Sequence, residues 1–196
     1  EEIAQGAKSG QWEGFNKRNG VVLNAPAGVS VAGGHQGEPI VSWNDVMPST
    51  RFVFVDLGLL QMVRPENWAT LTPQKAGDSV TIAPRAAMVS DGIGYGVVIN
   101  QVTPSDKNAT IDQTTADIVR RFQSGSDLQQ IGRATEVAVA GVSGRQVDMQ
   151  STSPLLDARG QPQKERDRLV TIPHSDGLGV FLVFVAPESE FDRLGP

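Results

Sequence analysis

Imidazole and thiol, two of the side chains most used in covalent and acid–base chemistry, are scarce here. The 196 residues include two histidines, His35 and His174, and no cysteine. That removes a thiol nucleophile and a thiolate metal site, and leaves too little imidazole for a zinc cage. His174 stands two residues before Asp176, the spacing of a base with a carboxylate to orient it, but at the tip of an expected hairpin with no nucleophile nearby. His35 lies in the Gly-rich run Gly33-Gly34-His35-Gln36-Gly37, which reads as loop.

Three stretches imitate known sites. Gly141-Val142-Ser143-Gly144 begins like a nucleophile elbow, but Arg145 stands where the last glycine belongs, and the serine falls in a hairpin rather than between strand and helix. Gly92-Ile93-Gly94-Tyr95-Gly96 resembles a phosphate loop, yet a strand follows it, so no helix N-terminus faces an anion. Asp106, Asn108, Thr110, Asp112 and Asp117 mimic a calcium loop, with Ile111 where the sharp bend needs glycine. Turn formation and helix capping explain those acids better. No metal site and no cofactor is expected.

Binding residues are sought among aromatics near loops. Trp68 follows the turn Arg64-Pro65-Glu66-Asn67 and is expected to pack as a lid on a sheet edge, with a ligand wall as the alternative. Arg85, Met88 and Tyr95 flank glycine-rich backbone, and with Trp68 they form the candidate binding surface. The run Lys164-Glu165-Arg166-Asp167-Arg168 alternates sign and reads as a solvated strand edge. The net charge of −5 supplies no basic excess for nucleic acid or an anionic membrane.

These residues need a scaffold. Residues 1–48 read as a connector: Ile3, Ala7, Trp12 and Phe15 suggest a frayed helix, glycines weaken it, and Ser42-Trp43-Asn44-Asp45 starts a turn that Pro48 stops. From 49 to 196 the texture is that of a folded domain. Strands are expected at 52–55, 57–63, 79–83 and 95–102, and one helix at 112–124 capped by Thr114. Hairpins are expected at 136–150 and 168–185. Val180 to Val185 is apolar on both faces, so it belongs at the sheet centre, covered by the 112–124 helix and by a second one from Pro187. The class is α+β, a mostly antiparallel sheet sandwiched by helices. The longest apolar run, Val180 to Ala186, is far short of the about 20 residues of a membrane helix. A start at Glu1 with no signal peptide reads as a piece of a longer protein, and the lack of cysteine suits an extracytoplasmic setting.

Several strings are familiar in order and spacing: Met62 to Trp68, Ser79 to Pro84, Tyr95 to Asn100, Ser153-Pro154-Leu155, Glu165 to Thr171 and Phe181 to Glu188. Together they resemble the C-terminal domain appended to bacterial, especially acidobacterial, zinc metallopeptidases of the HtpX/CAAX-protease-like class. That domain is similar to the PsbP-like fold, which also serves as an extrinsic photosystem subunit and as a Ran-binding factor. The resemblance spans about residues 49–190 and implies a non-catalytic accessory domain in the cell envelope. Its partner would be the parent protease domain or another envelope protein. The peptidase's His-Glu-x-x-His helix is absent from this sequence, so no zinc ligand carries over. The fold's final helix would be cut short after Phe191 to Leu194. The alternatives are a small-ligand or ion-binding module, using a pocket under Trp68 or the 106–117 acids, and, weakest, a hydrolase using His174 and Asp176.

Overall fold

The computed structural model describes residues 40–58, 60–71, 79–89, 92–104, 106–124, 126–174 and 177–194. His35, Asp176 and the 1–20 segment lie outside them. Strands β3 (Ala69–Leu71), β4 (Val80–Ala83), β7 (Gly96–Val102), β8 (Gln129–Val139), β9 (Val142–Leu156), β10 (Pro162–Pro173) and β11 (Gly179–Pro187) form one sheet in the order β3-β4-β7-β11-β10-β9-β8. Every pairing in it is antiparallel. The fold is α+β and mostly antiparallel, as expected. β11 is the middle strand, where a segment apolar on both faces finds cover on each side. Two ribbons stand apart, β1 (Phe52–Asp56) with β2 (Gln61–Pro65), and β5 (Met88–Val89) with β6 (Gly92–Ile93).

One sheet face is covered by α2 (Ile111–Gln123), whose Ile118, Val119 and Phe122 pack on Phe181, Val183 and Val185 of β11. The Phe122 and Phe181 rings meet edge to face at 5.8 Å. The cap of α2 is Thr110, not Thr114. Thr110 Oγ1 accepts from the Gln113 N–H (3.2 Å) and Gln113 Oε1 accepts from the Thr110 N–H (2.8 Å). The helix starts at Ile111, one residue before the expected position, and its cap lies one turn before Thr114, which is inside the helix and buried.

No helix from Pro187 covers the opposite face. Pro187 to Glu190 is a turn, and the following α3 (Phe191–Leu194) is a single turn that closes one end. The β1–β2 ribbon takes that place, setting Leu57, Leu60 and Met62 over Ile82, Ile99, Val170 and Leu182. The expected strand at 57–63 is broken because Leu57 N–H donates to Leu60 O (3.0 Å), turning the chain back on itself. A third cluster joins Val46 of α1 (Trp43–Val46) with Tyr95, Leu155, Ala186 and Phe191. Residues 40–48, assigned to the connector by sequence, are thus packed on the sheet: Trp68 Nε1 donates to Val46 O (3.0 Å), and Asn67 Nδ2 to Met47 O (2.9 Å). The turn at 42–45 forms as expected, with Asp45 accepting from the Ser42 hydroxyl (2.6 Å) and N–H (3.2 Å).

Candidate functional site

The four residues chosen from sequence do not share a surface. Trp68 is half-buried, packed against the cluster under the β1–β2 ribbon, with its Nε1 bonded to Val46 O. Met88 lies against the other cluster, beneath α2. Tyr95 is 3 % exposed in the third cluster, and its hydroxyl donates to Glu190 Oε2. Burial raises the Tyr95 phenol above its ordinary value, and the Glu190 carboxylate raises it further. Arg85 is exposed at the start of a short 3₁₀ turn, Arg85–Ala87.

The imitations of known sites resolve into structural roles. Ser143 Oγ donates to Glu136 Oε1 (2.6 Å) across the β8–β9 hairpin. Asp106 Oδ1 accepts from the Asn108 N–H (2.8 Å), and Asp112 takes Arg145 through Nε (2.6 Å) and Nη2 (3.2 Å). These acids are engaged in a turn and in tying α2 to β9. Gly96 opens β7 at φ +141, where a Cβ would stand 2.4 Å from Ile82 O, so this glycine serves strand packing. His174 closes the β10–β11 hairpin, its N–H donating to Leu178 O (2.8 Å); the dyad it was to form with Asp176 falls outside the described residues. Among the described residues, no group of three or more His, Asp or Glu side chains is placed to hold a metal ion. Among the described residues, the depression of about 480 Å³ beside α2 is walled by Asp117, Arg120, Arg121 and Ser124, all from one helix and its cap.

The arrangement that sequence reading missed is a row of side chains across five strands. Cross-strand partners run Val97 (β7), Phe184 (β11), Arg168 (β10), Asp148 (β9), Ile131 (β8). Strand side chains alternate, so these five point to the face opposite α2. One row towards the ribbon, Ile99, Leu182 and Val170 are buried. One row the other way, Ala186 and Arg166 lie by Phe191 of α3. Val97 is buried with them, and the rest of the middle row, Phe184 to Ile131, is left between the two covers. Phe184, on the central strand, is 39 % exposed, and Ile131 is 44 % exposed.

Charged groups hold this floor. Arg168 meets Asp148 with two bonds, Nε to Oδ1 (2.7 Å) and Nη2 to Oδ2 (3.1 Å), and Arg166 Nη2 donates to the same Oδ2. Both guanidiniums lie over the Phe191 ring, 4.9 and 5.3 Å from its centroid. Burial pushes the Asp148 carboxyl up, but the bonds from Arg168 and Arg166 outweigh it and hold it below its ordinary value. The sequence-based reading of 164–168 as a solvated edge is therefore corrected. β10 lies between β9 and β11, its arginines are half-buried on the open face, and Glu165 and Asp167 are buried on the α2 face. Alternating charge announced a strand with two different faces, and only the sheet order shows that the strand itself is interior.

No family model and no curated protein matches the sequence. Among solved structures, the Ran-binding protein Mog1p of Saccharomyces cerevisiae aligns with a TM-score of 0.46 at 13 % identity, over 74 % of this chain and 84 % of that one. A Pseudomonas aeruginosa protein of unknown function, PA94, aligns with a TM-score of 0.40 at 10 % identity, over 72 % and 87 %.

Proposed function

We propose that this chain is a non-catalytic interaction module and that its binding face is the open row Phe184–Arg168–Asp148–Ile131. The observation that carries this reading is the central-strand phenylalanine left part-exposed between two covered zones. A lone surface phenylalanine is ordinary, but one on the middle strand of seven, beside fixed charges, leaves part of the sheet's own face uncovered by the described elements. Rigid strands hold these side chains, so little ordering entropy opposes association. Apolar surface at Phe184 and Ile131, with arginines and an aspartate between them, suits a protein partner offering apolar side chains flanked by polar groups.

The sequence resemblance supports a finer proposal. The module is an accessory domain of an HtpX/CAAX-protease-like zinc metallopeptidase of the cell envelope, acting outside the cytoplasm, and its partner is the protease domain or another envelope protein. Among the described residues no helix is long and apolar enough to cross a membrane.

The test is calorimetric titration of the chain with the catalytic domain of such a peptidase from the same genome. Phe184→Ser combined with Ile131→Asp is expected to weaken binding at least tenfold while Arg85→Ala, away from the row, changes it little. No heat of binding from the unaltered chain refutes the peptidase assignment, and equal affinity for the double variant refutes the assigned face.

A further inference from the structure

The acids of β10 present a different problem from its arginines. Asp167 is 0 % exposed, and its cross-strand neighbours are Met149 on β9 and Val185 on β11, both apolar. The Ser151 hydroxyl lies 3.3 Å from Asp167 Oδ2 and 3.3 Å from Glu165 Oε1, one proton set between two carboxyls. Asp167 Oδ1 is enclosed and meets no hydrogen-bond donor. The turn after α2 adds a third carboxylate, Asp127, whose Oδ2 accepts from the Thr152 N–H (3.1 Å).

The described elements packed over this face bring no facing cation. α2 contributes Ile118, Val119 and Phe122, while its Arg120 turns to Asp117 and Arg121 lines the outer depression. β5 and β6 contribute Met88 and Ile93; the start of β8 brings Gln130, whose Nε2 donates to Gly132 O. Arg166 and Arg168 of the same strand point to the opposite face, at Asp148. A cavity of about 20 Å³ lies between Ser126–Leu128 and Ser151–Thr152, with Glu165 on its wall. It has room for about one water and nothing larger. Among the described residues, the counter-charge that fits Asp167 is a proton.

We propose that Asp167, with Ser151, Glu165 and Asp127, forms a proton-operated latch: it holds a proton while the α2-bearing face is closed, and losing that proton loosens the 126–128 turn from β9 and β10. Burial among apolar groups pushes Asp167 up to about 8, the Ser151 hydroxyl draws it down, and the Asp127 carboxylate adds to the rise. Because the folded value lies above the ordinary 3.8, the native chain keeps a proton that the unfolded chain has released. Stability therefore falls as pH rises from about 4 towards about 8 and levels off above that. The latch is on the face opposite the binding row, and it stands whether or not that row binds a partner.

Thermal melting of the unaltered chain and of Asp167→Asn at pH 5.5, 7 and 8.5 tests it. The melting temperature of the unaltered chain is expected to fall across this range. The variant, neutral at every pH, is expected to lose at least half of that slope and to melt above the parent at pH 8.5. Parallel slopes for the two proteins overturn the proposal. Should the variant fail to fold, carboxyl carbon NMR of the unaltered chain decides. An aspartate midpoint above pH 6 supports the latch, and all aspartates titrating below pH 5 overturn it.

Discussion

Asp148 is the single side chain on which the open face depends, because two arginines share its carboxylate. Replacing it by alanine takes from Arg168 the carboxylate it pairs with and leaves Arg166 only its bond to Asp192 (3.2 Å). Hydrogen bonds to charged groups of this kind are worth about 1.5–3 kcal/mol, so Asp148→Ala is expected to cost about 2 kcal/mol in urea unfolding at pH 7. The pH dependence runs opposite to that of Asp167. The folded carboxyl is held below its ordinary value, so its contribution is complete above about pH 4 and is lost as pH falls below that. The acid limb of the stability curve should be shallower in Asp148→Ala than in the parent. None of this was legible at Lys164 to Arg168, where sequence shows alternation but not what lies across the neighbouring strands. Asp148 itself sits in a stretch that reads only as half a hairpin.

At the scale of elements, local rules were followed wherever the decisive contacts lie within a few residues. The capping geometry of α2 is local, so Thr110→Ala should cost about 1 kcal/mol, checked by the urea midpoint and by amide exchange in the first helical turn. The helix itself was readable, its start within one residue, and only its cap was misplaced by one turn because Thr114 also fits a cap pattern. The β8–β9 hairpin was readable too, but its turn is tighter than expected. Ala140 (φ 49) and Gly141 (φ 82) make the reversal in two residues, extending both strands towards the tip. The 57–63 segment misled because Leu57, Leu60 and Met62 all look like strand core. They are core, but of a ribbon folded over the sheet.

At the scale of the whole molecule, the two sheet faces are covered unequally. Phe122 of α2 is buried against Phe181, so Phe122→Ala should cost about 3–5 kcal/mol. Phe54 points outward from the β1–β2 ribbon and is 65 % exposed, so Phe54→Ala should change stability by less than about 0.5 kcal/mol. Comparable losses in a chemical denaturation of the two variants would mean that the ribbon's outer side is also buried in solution. The composition of the chain determined its class: β-branched runs between turn residues make a sheet, and a doubly apolar segment must be its centre. Those properties depend on side-chain type and short-range spacing, which a linear string contains. The binding row and the buried acids were decided by tertiary structure alone. Each depends on which residues of distant strands become neighbours and on which face stays bare, and the register and order of seven strands set both.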